Sequence, residues 1–179
     1  EYFYADGSKW KTGEFVADIK DGQWLTWFES GVMLQRGNYS SGKEEGTWTS
    51  WYENKNKKDE GEYKEGLMNG NWKGWYPNGT LSYAGSYERD MKTSLWKYYF
   101  DDGKLRDEGS WKITKNKSKM EEIILEQSRY TELSYKDGSW RSYSQVDGKI
   151  TAEGPYKLGK KDGVWKHYYP GGIIIAYKN

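Results

Sequence analysis

Few residues in this chain belong to the types that perform catalysis or bind metal ions. The 179 residues include one histidine, His167, and no cysteine, which excludes thiol catalysis, disulfides and cysteine-based metal sites. Adjacent carboxylates occur at Asp101-Asp102 and at Asp107-Glu108, the residue type used in glycoside hydrolysis and cation binding. Neither the Gly-x-Ser-x-Gly turn of serine hydrolases nor a Gly-x-x-x-x-Gly-Lys-Ser/Thr phosphate loop occurs. We therefore expect a chain that is not an enzyme, with no catalytic residues, no metal ligands and no cofactor.

Composition narrows the class of protein further. Aromatic residues make up 18% of the chain, with 11 Trp and 17 Tyr against 4 Phe. Disordered chains are poor in aromatics, and each ring can bury roughly 150–250 Å², so an ordered fold is expected. Lys and Arg (28) nearly balance Asp and Glu (27), which argues against a nucleic-acid partner. No apolar run approaches the ~20 residues of a transmembrane helix. The composition does not indicate a compartment.

Six tryptophans recur at a fixed spacing, which indicates a repeat protein. Each stands two residues after a glycine or, in one case, a serine, and successive steps are 24, 24, 24, 44 and 25 residues. We expect these repeat-core aromatics to hold the repeats together: Trp24, Trp48, Trp72, Trp96, Trp140 and Trp165. The spacing predicts a single repeat domain over residues 1–179, with units starting near residues 22, 46, 70, 94, 138 and 163.

A second aromatic follows each of these tryptophans by three residues. Period-two alternation along a strand directs it to the opposite face of a sheet. This set is the candidate binding face: Trp27, Trp51, Trp75, Tyr99, Tyr143 and Tyr168.

Turn signals divide each unit into two strands. Pairs such as Asn78-Gly79 and Asp102-Gly103 are strong hairpin signals because both residues tolerate positive φ. In the second unit Asn54-Lys55 occupies this place, so a looser turn is expected there. Aromatics alternate with polar residues on both faces, which argues against a two-layer sandwich. The predicted fold is therefore all-β: a single-layer, elongated and twisted antiparallel meander of tandem β-hairpin repeats, held together by stacked aromatic ladders.

The repeat pattern resembles the MORN repeat variant family of bacteria. The resemblance is clearest in the segment from Gly70-Asn71-Trp72 through Asn78-Gly79-Thr80-Leu81 to Gly85-Ser86-Tyr87. It implies an extended meander of hairpins without catalytic motifs. Proteins that look like this are often described as antitoxin-like components of toxin–antitoxin pairs, which implies a protein partner.

Two segments depart from the repeat. The 44-residue step places an insertion within residues 112–137, for which an elongated hairpin is favoured over a short helix with Met120, Ile123, Ile124 and Gln127 on one face. The strand over residues 173–177 is the most aliphatic in the chain. Because edge strands expose unpaired backbone, it could pair with a second copy to form a homodimer.

Two binding hypotheses follow from the exposed aromatics. Protein binding is preferred, because Trp and Tyr are enriched at the energetic centres of protein interfaces. The alternative is carbohydrate or cell-wall binding, in which Trp and Tyr rings stack on sugar rings.

Overall fold

The computed structural model describes residues 1–116, 131–170 and 174–178, and these form a single antiparallel sheet. Its strands follow one another in chain order as a meander, with only the short β13 off the main path. The predicted all-β hairpin meander is thus confirmed. The strands are β1 (Tyr2–Phe3), β2 (Lys9–Val16), β3 (Ile19–Trp27), β4 (Met33–Ser40), β5 (Lys43–Trp51), β6 (Lys57–Lys64), β7 (Leu67–Trp75), β8 (Leu81–Glu88), β9 (Met91–Tyr99), β10 (Leu105–Asn116), β11 (Thr131–Tyr143), β12 (Ile150–Lys157), β13 (Lys160–Lys161), β14 (Val164–Tyr168) and β15 (Ile174–Lys178).

Two-residue turns join the strands along one side of the sheet, where one set of strand ends lies. In the turn between β4 and β5, both Ser41 and Gly42 have positive φ (49° and 82°), the conformation that matches the twist of a hairpin. The Gly42 amide also donates a 2.8 Å hydrogen bond to the carbonyl of Lys20, two strands away in β3. The Gly66 amide bonds the Glu44 carbonyl in the same way, at 2.9 Å. Each of these turns is therefore hydrogen-bonded to the hairpin before it.

The longer turns, along the opposite side of the sheet where the other strand ends lie, share one hydrogen-bond pattern. Between β3 and β4, the amide of Phe28 donates to the carbonyl of Val32, and the amide of Gly31 donates to Phe28. The Asn54-Lys55 turn repeats both bonds, because Lys55 adopts φ 70° where the other turns have glycine. The expectation of a looser turn in this unit was wrong.

Each of the six repeated tryptophans lies flat against a glycine of the preceding strand. An added Cβ on Gly61 would stand 2.1 Å from Cδ2 of Trp72, and the other five pairs give 2.0–2.5 Å. The indole Nε1 donates to the carbonyl of the residue after that glycine, as from Trp72 to Glu62 at 3.1 Å. Three residues of one strand oppose the glycine at this point, since Glu60 pairs with Lys73 and Glu62 with Asn69. We call these the facing glycines: Gly13, Gly37, Gly61, Gly85, Gly109 and Gly154.

Neighbouring rings complete the packing of the indoles. Trp72 meets Tyr63 and Tyr87 edge to face, with ring centroids 5.2 and 5.9 Å apart and interplanar angles of 82°. This contact repeats from Phe15 to Trp96, so the expected stacked ladder is in fact mainly a herringbone, the geometry that the quadrupoles of aromatic rings favour. The six indoles are 1–6% exposed and form the buried core of the described residues, a set that we call the tryptophan column: Trp24, Trp48, Trp72, Trp96, Trp140 and Trp165.

The packing of Tyr39 in this herringbone makes stability sensitive to alkaline pH. Burial, assisted by the carboxylate of Glu44, raises the pKa of Tyr39 to about 12. An unfolded tyrosine ionises near pH 10, so the unfolded chain loses this proton first. The stabilising contribution is therefore complete below about pH 10 and is lost as the pH rises towards 12. We expect the urea midpoint to fall between about pH 9 and about pH 11.5, and to fall less in Tyr39→Phe. An equal fall in both proteins would contradict this assignment.

The arms of the insertion continue the sheet. β10 and β11 remain paired up to Asn116 and Thr131, as in an elongated hairpin. Residues 117–130, which include the alternative helix face at Met120, Ile123, Ile124 and Gln127, lie outside the described residues. At the last strand, Tyr177 pairs with Trp165 at the position that facing glycines occupy elsewhere. Ile174 and Tyr177 are about half exposed, at 56% and 52%.

Candidate binding face

The face opposite the tryptophan column carries a row of charges. The last five members of this row pair directly with one another across adjacent strands, and the sign of their charge alternates. They are Lys97, Glu108, Arg141, Glu153 and Lys166. Neighbouring members form ion pairs, including Arg141–Glu153 at 3.4 Å and Arg141–Glu108 at 3.8 Å. Such exposed pairs contribute little stability, so their main effect is to give this face a patterned charge. The charged row is Arg36, Glu60, Lys73, Lys97, Glu108, Arg141, Glu153 and Lys166.

The second aromatic of each repeat is half-buried beside this row. The hydroxyl of Tyr143 donates to Glu108 at 2.7 Å, and that of Tyr168 donates to Glu153 at the same distance. The guanidinium of Arg36 lies 5.8 Å from the centroid of Trp51, within the range of a cation–π contact. Rings and charges are therefore interleaved on one surface. We call this set the outer aromatics: Trp27, Trp51, Trp75, Tyr99, Tyr143 and Tyr168.

Hydrogen bonds between turns close the surface in the central repeats. The hydroxyl of Tyr52 donates to the carbonyl of Trp75 at 2.9 Å, and Tyr76 donates to Tyr99 at 2.7 Å. The side-chain amide of Asn54 similarly reaches the carbonyl of Pro77 at 2.6 Å. Successive turns are thereby tied together.

The junction of the first two repeats lacks these groups. Phe28 stands where Tyr52 and Tyr76 stand, and a phenyl ring has no hydroxyl to donate. Ser30 replaces Asn54 in the turn, with a shorter side chain. Here a pocket of about 470 Å³ opens, a volume typical of small-ligand sites. Its lining residues, which we call the junction pocket, are Ser30, Gly31, Val32, Met33, Trp51 and Lys55.

The chemically reactive residue types are placed in structural roles. The ring of His167 lies 5.9 Å from that of Tyr177 in β15 and 6.4 Å from that of Trp165 in its own strand. Asp102 accepts a hydrogen bond from the amide of Lys104, which lowers the pKa of this turn carboxylate. Asp107 and Glu108 accept bonds from Ser142 and Tyr143, on opposite faces. The described residues contain no group of three potential metal ligands, and none of their elements is a helix able to cross a bilayer.

Comparison with known families identifies the repeat. The profile of the MORN repeat variant matches residues 20–41, 44–65, 68–89, 92–112 and 161–179, more than half of the chain. This chain belongs to the MORN repeat variant family. No curated protein matches it. MORN repeats are associated with modules that bind proteins or membrane lipids, and they are not a known class of enzyme.

The structure adds a MORN-like unit that the profile does not match. Residues 138–157 lie between the matched ranges. Trp140 nevertheless lies flat on Gly109, donates from Nε1 to the carbonyl of Ser110 at 3.1 Å, and meets Tyr156 edge to face. The insertion therefore separates two units of the same construction.

Proposed function

We propose that this MORN chain is a protein-binding module, with its partner lying across the outer aromatics and anchored in the junction pocket. The observation that carries the proposal is the coincidence of an open pocket with a half-buried aromatic ring, Trp51, beside the charged row. Aromatic side chains in well-packed pockets dominate the binding energy of protein interfaces. Alternating charges set the register of a partner and exclude wrong ones.

The repeat spacing suits an extended segment of the partner. Equivalent positions lie two strands apart, or about 9.6 Å, and a segment in the extended polyproline II conformation rises about 9.3 Å over its three-residue turn. Every third residue of such a segment would then stand over one outer aromatic. An antitoxin-like role, in which the partner is a toxin protein, is one form of this proposal.

Peptide selection tests the proposal. A displayed library of random peptides is expected to yield binders with an apolar anchor, and Trp51→Ala should weaken their binding at least about tenfold. Leu158→Ala, at a position 58% exposed in the turn between β12 and β13, is the control and should leave binding unchanged. Circular dichroism verifies that both variants fold. Peptides that bind Trp51→Ala as tightly as the parent would contradict the site.

The same variants test carbohydrate or cell-wall binding. Tryptophan fluorescence is titrated with a panel of glycans and soluble peptidoglycan fragments. Quenching by a glycan that is lost in Trp51→Ala, together with a failed peptide selection, would replace the proposed protein partner with a carbohydrate.

A further inference from the structure

The position four residues before a column tryptophan bears on what lies over its indole ring. In four repeats it is a lysine whose ammonium lies near the ring centroid. The distances from Nζ are 4.6 Å for Lys20 on Trp24, 4.3 Å for Lys92 on Trp96, 4.1 Å for Lys136 on Trp140 and 4.2 Å for Lys161 on Trp165. These distances are typical of cation–π contacts. Most of the column thus supplies its own cation.

Two adjacent repeats differ at this position. Glu44 precedes Trp48 and Met68 precedes Trp72. Both indoles line a pocket of about 260 Å³, on the face opposite the outer aromatics. We call it the column pocket, and its lining includes Trp48, Asp59, Tyr63, Met68, Trp72 and Tyr83.

Asp59 gives the column pocket a negative charge. Its carboxylate accepts a 2.6 Å hydrogen bond from the hydroxyl of Tyr83 and a 3.4 Å bond from Ser50. Two bonds leave lone pairs free for a further donor. The ion pairs among the described residues involve other carboxylates, such as Glu108 and Glu153. Among the described residues, Asp59 therefore has no ion-pair partner.

The surrounding groups strengthen this negative field. Burial raises the pKa of Tyr63, and the nearby carboxylates of Glu44, Asp90 and Asp59 raise it further. The faces of Trp48 and Trp72 add the negative side of their quadrupoles. A cation would meet aromatic rings and a carboxylate together, the arrangement by which proteins recognise ammonium groups.

We propose that the column pocket binds an alkylammonium group against the rings of Trp48, Tyr63 and Trp72, with Asp59 as its counter-ion. The bound cation would supply, beside Met68, the positive charge that lysine supplies in four other repeats. The volume accommodates an ammonium head and a few methylenes, as found on a free amine, on choline or on a lysine side chain of a partner. The site lies on the other face from the junction pocket, so its failure would leave the proposed function untouched.

A titration followed by tryptophan fluorescence and by amide chemical shifts tests this site on the intact chain. The probes are tetramethylammonium, choline and Nα-acetyl-lysine methylamide, with 3,3-dimethylbutan-1-ol as the uncharged analogue of choline. We expect saturable shifts at Trp48 and Trp72 with at least one cation and none with the alcohol. Saturation by choline or tetramethylammonium alone indicates a small-molecule ligand, whereas saturation by the lysine derivative indicates a partner side chain.

Three variants decide whether the site works as proposed. Asp59→Asn keeps an acceptor for Tyr83 and should weaken binding at least about tenfold, because the cation loses its counter-ion. Met68→Lys should block the pocket with an internal ammonium. Glu60→Gln removes the same charge one residue later, on the charged row, and should leave binding unchanged. Equal binding of choline and the alcohol, or unchanged binding in folded Asp59→Asn and Met68→Lys, would overturn the proposal.

Discussion

Replacing Trp72 by alanine is expected to lower the free energy of unfolding by about 3–5 kcal/mol. Trp72 lies in the centre of the column at 6% exposure, flat on Gly61 and between the edges of Tyr63 and Tyr87. Alanine would leave a cavity between two hairpins and remove the donor to the carbonyl of Glu62. Because each repeat contacts only its neighbours, distant repeats cannot compensate for the contacts that Trp72 loses.

Urea denaturation followed by far-UV circular dichroism measures this loss. Leu95→Ala is the control, since Leu95 is 50% exposed and an exposed truncation should cost at most about 1 kcal/mol. If Trp72→Ala also cost less than about 1 kcal/mol, the indole would be a surface group and the column would not be the core of the sheet.

Gly61→Ala is expected to lower the free energy of unfolding by about 2–4 kcal/mol. Replacing glycine by alanine ordinarily has the opposite effect, because it reduces the conformational entropy of the unfolded chain. The new Cβ would stand 2.1 Å from Cδ2 and 2.2 Å from Cε2 of Trp72, so the indole must leave its place. Backbone strain does not explain this effect, because Gly61 is not among the glycines with positive φ.

Gly46→Ala separates collision from strain. Gly46 has φ 71°, and an added Cβ there would meet nothing within 4 Å. This control should cost only about 1 kcal/mol, the strain of placing alanine in the left-handed region. A Gly61→Ala variant no less stable than Gly46→Ala would contradict the assignment of Gly61 as the surface on which Trp72 rests.

The sequence predicts the meander well because the same hairpin pattern recurs in each repeat. The 24-residue step and pairs such as Asn78-Gly79 specify hairpins without reference to distant contacts. The geometry of the rings does not follow from the same pattern. A glycine such as Gly61 reads as a turn or close-packing residue, and only the pairing of β6 with β7 shows that Trp72 lies on it. The looser turn at Asn54-Lys55 was predicted wrongly for a related reason. The hydrogen bonds of the turn hold Lys55 at positive φ, which the residue type alone does not indicate.

The candidate sites are only partly readable from the sequence. The outer aromatics follow from their spacing, but the junction pocket depends on which turns are bonded to each other. The sequence does show Phe28 at the position where other repeats have a tyrosine such as Tyr52. This difference indicates a pocket only because the structure shows the hydroxyl of Tyr52 bonded to the next repeat. The column pocket required the cross-strand register, because Asp59 belongs to a different strand from Trp48 and Trp72.

If indoles packed on glycines hold the hairpins together, the two members of such a pair are energetically coupled, and a double-mutant cycle measures that coupling most directly. Free energies of unfolding are measured for the parent, Gly61→Ala, Trp72→Ala and the double variant. Once Trp72 is gone, the added methyl has nothing to displace, so Gly61→Ala should cost little and the coupling energy should be about 2–3 kcal/mol. Costs that simply add would show that the glycine and the indole act independently, and would contradict this account.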